Sequence, residues 1–295
     1  MKGHLDSVRD VVFHPDGERL ISACKDGTIG IWDLESGTLQ HQLEGHEKDY
    51  PVRCVLCLRD GKTLISSSDD TTIRIWDLAT RTTTKVLRGH TAKVRELGLA
   101  PDESWLASAS KDGTIRIWDL PAGTERLQVR GTTEPEDDTL GVLSLSVHPD
   151  GRTIATTNFD QTLRIWRAED LEMDLQVGPS SVMPGMVKHS RDGAYLLYDT
   201  GYGDVRILSG DGMSEAGVLK GHYEGIYGMA FTPDSRLVAT GGRDTTVKLW
   251  RLPEGTLIET LRGHEDGLDV VAINQDGTLL ASGSGDNTIR LYDLR

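Results

Sequence analysis

The feature that most constrains this chain is a recurrence. Ile31-Trp32-Asp33 returns as Ile75-Trp76-Asp77, Ile117-Trp118-Asp119, Ile165-Trp166-Arg167, Leu249-Trp250-Arg251 and Leu291-Tyr292-Asp293. Successive copies stand 42 to 48 residues apart, except for one gap of 84. That gap holds a worn copy, Val205-Arg206-Ile207-Leu208-Ser209, 42 residues from the motif on either side. Seven copies therefore tile the chain. A fixed period in this range marks an array whose units bury their apolar faces only against neighbours. One domain spanning residues 1–295 is expected, with nothing left over for a second.

Within each copy, apolar and polar residues alternate at period two, as in Thr114-Ile115-Arg116-Ile117-Trp118, between turn residues such as Pro15-Asp16-Gly17 and Lys111-Asp112-Gly113. These are short strands joined by tight turns. Each copy reads as four strands, and no stretch reads as a long amphipathic helix. Four short strands per repeat suit a blade, and radial stacking of blades protects most sheet edges. The Gly-His, Pro-Asp-Gly, Asp-Gly-Thr and Trp-Asp signatures resemble those of the WD-repeat (WD40) family along essentially the whole chain. The resemblance implies an all-β fold: a seven-bladed β-propeller of four-stranded antiparallel blades.

Counting back from the Trp position, Ser22, Ser66, Ser108, Thr156, Thr240 and Ser282 stand ten residues earlier, and Asp26, Asp70, Asp112, Asp160, Asp244 and Asp286 six earlier. His4, His90, His222 and His264 stand 28 earlier, and His46 falls near the same place. In the family such residues resemble a structural tetrad: Asp holds His, His holds the hydroxyl, and the hydroxyl holds the indole N–H. Asp, His and Ser together also suggest a hydrolytic triad. Repetition argues against that reading, because a nucleophile is needed once, where substrate can enter.

The formal charge of −14 favours solubility and disfavours wrapping a polyanion. No nucleic-acid partner is expected. Cys24, Cys54 and Cys57 are odd in number and suit a reducing compartment. Met1 to Asp10 carries no apolar leader, and no run approaches 18 apolar residues. The expectation is a cytoplasmic protein with no membrane partner. Cys54-Val55-Leu56-Cys57 has the spacing of a metal or redox pair, yet on a strand an offset of three sends the thiols to opposite faces. The glycines of Tyr198 to Asp204 lead into no helix and no Lys-Ser/Thr, and no HExxH occurs. No cofactor or metal and no enzymatic activity is expected; an enzyme would need a polar cluster in the central channel.

Three departures stand out. Repeat four has Gly131-Thr132 for Gly-His, followed by an acidic loop, Glu134 to Asp138, so its tetrad lacks the imidazole. Repeat five has lost nearly all four residues and is expected to be held by apolar packing alone. The last repeat ends just past its third strand, so Ile289 to Leu294 should form an unpaired edge, read as the mark of a fragment or as a site for strand addition by another chain.

By position in the family, first-strand residues and the residue before the tetrad Asp face ligands on the surface called the top. This gives Arg9, Arg53 and Arg95, supported by Lys25, Lys93, Lys111 and Arg243, with Phe159 and Tyr227 for apolar or stacking contact. Such a patch on an acidic protein suits a polyacidic peptide or protein. The expected function is a non-catalytic scaffold for protein interaction on that face. The alternative is a sensor or autoinhibitory array from a multidomain signalling protein such as an NTPase or kinase.

Overall fold

The structure, a computed structural model, describes residues 1–131, 141–181 and 183–295. The acidic stretch Glu134 to Asp138 lies outside the described residues. The described strands form seven antiparallel meanders, six of four strands and the last of three. Blade one runs through Val8–Phe13, Arg19–Cys24, Ile29–Asp33 and Leu39–Leu43, and each later copy repeats this order outward. No helix among the described residues is long and apolar enough to cross a membrane.

Seven apolar clusters occupy the seven seams between neighbouring blades. Ile21 and Ile31 of blade one meet Val55, Leu64 and Trp76 of blade two. The last seam closes the ring, where Val8, Leu20 and Trp32 pack on Val270, Ala281 and Ile289. Burial follows radial position. The second strand of each blade lies between two neighbours and is buried almost throughout, hence small residues such as Ser22-Ala23-Cys24. Outer strands such as Thr124–Arg130 keep a polar, largely exposed sequence. The wheel is held by the hydrophobic effect applied seven times, at about 25 cal/mol per Å² of apolar surface removed from water.

Inside blades two, three and six the tetrads form in full as expected. In blade two His46 Nδ1 donates to Asp70 Oδ2 at 2.8 Å, Ser66 Oγ meets His46 Nε2 at 2.7 Å, and Trp76 Nε1 donates to Ser66 Oγ at 2.8 Å. Blade three repeats this with Asp112, His90, Ser108 and Trp118, and blade six with Asp244, His222, Thr240 and Trp250. Blade seven has Asp286, His264 and Ser282 but a tyrosine where the indole would be. In blade one His4 and Trp32 both reach Ser22, whereas no bond joins His4 to Asp26. The tetrad Asp also accepts from the backbone two residues on, closing a tight turn whose next position has positive φ: Gly27 at 89°, Gly113 at 80°, Thr71 at 70°.

Each of the three departures resolves physically. In blade four the missing imidazole is replaced by Arg164, which is 2% exposed, bonds Asp160 at 2.6 Å and also donates to Gly131 O. Blade five is not held by apolar packing alone: Val187 N–H donates to Ser144 Oγ, His189 N–H to Ser146 Oγ, and Thr157 Oγ1 to Gly185 O across the seam with blade four. The edge of blade seven is not fully open from Ile289. Lys2 pairs with Thr288, and Met1 and Ile289 exchange backbone bonds at 2.6 and 3.1 Å. Beyond Ile289, the outer edge of the third strand carries no ladder partner among the described residues.

Candidate functional site

The top-face candidates owe their position to a local irregularity. In six blades the pairing of first and second strands slips by one residue, between Val8 and Asp10, Val52 and Cys54, Val94 and Glu96, Val142 and Ser144, Ile226 and Gly228, and Leu268 and Val270. The residue left out of register is Arg9, Arg53, Arg95, Leu143, Tyr227 or Asp269. A bulge re-aims the side chain it releases. Here the released side chains converge: all six line one mouth at the top of the channel, with Met186 and Ile226.

The mouth is less basic than its arginines suggest. Arg9 Nη1 bonds Asp269 Oδ2 at 2.9 Å. Arg53 grips Asp69 with two bonds of 2.7 Å, and Lys93 Nζ reaches the same carboxylate at 2.8 Å. Burial alone would raise Asp69, but these two cations hold it below the usual carboxylate range. Burial raises Asp269, against the pull of Arg9 and Arg53. Lys25 is tied to Asp6 at 3.3 Å, away from the mouth.

Arg95 differs. Its guanidinium lies over the Phe159 ring, 5.3 Å from the centroid, and forms no ion pair among the described residues; its Nε, like that of Arg9, is buried without a hydrogen-bond partner among them. Burial and the neighbouring Arg53 both lower its pKa, against the opposing pull of Asp69. Arg243 is exposed and lines a shallow recess with Arg9, Tyr227 and Asp266. Lys111 forms no ion pair among the described residues; its backbone packs against Gly141, where a Cβ would stand 2.6 Å from Lys111 Cα. The structure thus brings Arg9, Arg53, Arg95 and Tyr227 to one opening, with Lys93 sharing the Asp69 carboxylate with Arg53 and Phe159 lying under Arg95; Lys25 and Lys111 stand aside.

The channel is also lined by Asp10, Glu96 and Lys188, which the sequence reading missed, and by Cys54, which it weighed only as half of a thiol pair. Asp10, Cys54 and Glu96 follow the bulged arginines on three successive blades, and Lys188 shares their lining. Burial pushes Asp10 up to about 6 and Glu96 up to about 7. Asp10 is saturated by the Val11 and Val55 N–H groups at 2.8 and 2.7 Å. Burial raises the Cys54 thiol well above its ordinary value, which opposes nucleophilic use. The signal was present, since each of these residues follows an arginine already singled out.

Ligand atoms of His4, Cys24 and Asp26 lie within 4.8 Å of one another. Cys24, however, takes the place of Ser68, Ser110 and Ser284 and, like them, donates to a backbone carbonyl, that of Asp6, at 3.3 Å. Burial pushes its thiol up to about 12, against the thiolate a metal requires. It reads as a member of the tetrad region. Cys54 and Cys57 are free thiols; the first points toward Glu96 and the second toward the Leu58 carbonyl.

The family model described as "WD domain, G-beta repeat" matches residues 1–33, 37–77, 81–119, 130–167, 213–251 and 255–293. The unmatched interval between the fourth and fifth segments holds most of blade five. Among curated proteins, the chain is 44% identical over 36 residues to periodic tryptophan protein 2 of Saccharomyces cerevisiae, covering 12% of this chain and 4% of that protein. It is 40% identical over 48 residues to nuclear distribution protein PAC1 of Arthroderma benhamiae, and 42% over 48 residues to nuclear distribution protein nudF of Aspergillus flavus. Each of these two matches covers 16% of this chain and 10% of the relative. The matches are about one repeat long, so they carry likeness of blade and nothing of the relatives' wider activities.

Proposed function

The chain belongs to the WD-repeat (WD40) family, and from that premise we propose that it is a non-catalytic interaction scaffold whose top-face mouth receives an acidic peptide or protein segment. One observation carries the proposal. Six bulges on six blades release their side chains into a single opening, and three of those side chains are arginines. A packed propeller has no need of unpaired bulge residues at its axis, whereas a binding surface does. Family membership supports the reading without deciding it, since a fold hosts many functions. The tetrads recur, lie inside blades and are occupied with one another, so they supply neither a nucleophile nor a substrate path. The channel groups offer no chain of nucleophile, base and orienting residue among the described residues.

The test is affinity capture followed by mass spectrometry, comparing the wild-type protein with a variant carrying Arg9→Glu, Arg53→Glu and Arg95→Glu. Partners specific to the wild-type protein should vanish from the variant at a temperature where its unfolding curve shows it still folded, since Glu beside Asp69 and Asp269 breaks two ion pairs and lowers the midpoint. An identical capture profile from both proteins refutes the mouth as the site.

A further inference from the structure

The top face has a second half. Tyr223 is 73% exposed, Tyr202 72%, Tyr227 47% and Met183 44%, and all four lie on blades five and six, across the mouth from the arginines. Their loops adjoin. A Cβ on Gly203 would stand 2.7 Å from the carbonyl oxygens of both His222 and Glu224, so the turn bearing Tyr202 lies directly against the loop bearing Tyr223. The Tyr227 ring lies beside Gly225 in that same loop. Tyr227 also lines the mouth with Arg95, Leu143 and Met186, joining the aromatic ledge to the cation.

The charges on the other side are unequal. Arg9 and Arg53 are already bonded to Asp269 and Asp69, and a ligand carboxylate would have to displace those partners. Among the described residues Arg95 has only the face of Phe159 as a direct partner, and the carboxylates that engage the other two arginines are not hydrogen-bonded to it. A carboxylate arriving there gains charge-assisted hydrogen bonds without breaking an ion pair. Tyrosine rings supply broad amphipathic contact with little side-chain entropy to lose.

We propose that the mouth recognises an extended peptide carrying one carboxylate, seated at Arg95, beside an aromatic or large aliphatic side chain laid on Tyr227 and the Tyr202–Tyr223 ledge. This rests on the partner-binding reading above and narrows it, from a polyacidic ligand to a mixed acidic and apolar one. Charge complementarity sets the acidic position, and the exposed tyrosines set the apolar one. Arg95 and Tyr227 act as the two anchors, and the paired arginines shape the wall between them.

The experiment is selection from a library of random decapeptides on the full chain, followed by fluorescence polarisation of the enriched peptides with wild type, Arg95→Gln, Tyr227→Ala and Arg53→Gln. Enriched peptides should combine Asp or Glu with Phe, Tyr, Trp or Leu. Their Kd should rise about tenfold or more in both Arg95→Gln and Tyr227→Ala, the loss expected of interface anchors, and less in Arg53→Gln. Tyr227→Phe, which keeps the ring, should bind nearly as wild type, and unfolding midpoints of all variants report that the fold is intact. Enrichment of polyacidic peptides that ignore Tyr227→Ala overturns the two-anchor inference while leaving the mouth as the binding site. Enrichment of nothing, or of peptides indifferent to both Arg95→Gln and Tyr227→Ala, overturns both.

Discussion

Replacing Asp112 by alanine tests the tetrads where the geometry is most complete. Its Oδ2 accepts from His90 Nδ1 at 2.8 Å and from the Thr91 N–H at 3.0 Å, and its Oδ1 accepts from the Thr114 N–H at 2.8 Å and hydroxyl at 2.6 Å. Thr91 is exposed, so water replaces its bond at little cost. The Thr114 hydroxyl lies 3.2 Å from His90 Nδ1 and can turn to accept from it. What remains is chiefly the buried Thr114 N–H left without a partner and the charge-assisted bond to His90 lost, a cost of about 2 kcal/mol. For a chain of this size that lowers the unfolding midpoint by about 4 °C. Asp26→Ala is the internal comparison. Asp26 bonds Thr28 but not His4, so its loss should lower the midpoint by less than half as much. Burial pushes the Asp112 carboxyl up, yet the His90, Thr114 and Thr91 bonds outweigh it and hold the group below the usual carboxylate range. A depressed carboxylate stabilises the fold above its unfolded pKa and loses that contribution as pH falls. The Asp112→Ala deficit should therefore be constant above about pH 4 and narrow in more acidic solution. Calorimetry at a series of pH values makes the measurement. A variant that unfolds with the wild type at neutral pH, or an Asp26→Ala deficit as large as that of Asp112→Ala, refutes the reasoning.

Glu96→Gln should stabilise the protein in mildly alkaline buffer and leave it unchanged near pH 4. Burial raises Glu96 to about 7, with Asp10 reinforcing and Lys188 opposing the shift, so its contribution is present in acid and lost as pH rises toward 7; equal midpoints at alkaline pH contradict this. Arg164→Ala takes the ion-pair partner from the largely covered Asp160 carboxylate, leaving it only its Thr162 bonds, and should cost about 3 kcal/mol, read by denaturant unfolding; a wild-type midpoint would remove Arg164 from its role as surrogate for the imidazole. Placing Thr-Leu-Ile-Glu-Thr before Met1 copies the outer strand of blade six, Thr256–Leu261, onto the short edge of blade seven. New ladder bonds beside Arg290 to Asp293 should raise the unfolding midpoint by about 4 °C, and no rise would mean that this edge does not accept a strand.

Much of the fold was legible because the period of the chain and the period of the sheet are independent signals that agree. The Trp spacing gave seven units, the alternation gave strands, and the second-strand run Ser22-Ala23-Cys24 sits where burial on both sides demands small residues. The tetrads followed from fixed offsets. Three-dimensional compensation was not legible. Nothing in Leu163-Arg164-Ile165 distinguishes that arginine from Arg74 or Arg116 at the same position, although only Arg164 stands beside a missing histidine. The candidate arginines were found by position, but their neutralisation was not, since Asp69 and Asp269 reach Arg53 and Arg9 from 16 and 260 residues away. The Arg53–Asp69 pair is set by the fold of one blade, and the Arg9–Asp269 pair by ring closure. The same closure brings Met1 to Ile289 across 288 residues, which the strand count alone placed apart. The tyrosine ledge was passed over because exposure is a property of loops in contact, and Tyr202 and Tyr223 are far apart in any sequence window.

The central claim is that the recurring hydroxyls, imidazoles and indoles are internal fastenings of a seven-membered ring. Five indoles, those of Trp32, Trp76, Trp118, Trp166 and Trp250, donate to a buried hydroxyl at 2.7 to 2.9 Å, whereas Trp105 makes no such bond among the described residues. Indole N–H exchange followed by 15N-resolved NMR after transfer to deuterated buffer reads this directly. The account predicts five slowly exchanging indole signals and one, from Trp105, that disappears early. Rapid loss of the other five would show that the hydroxyl bonds are not buried fastenings and would contradict the account.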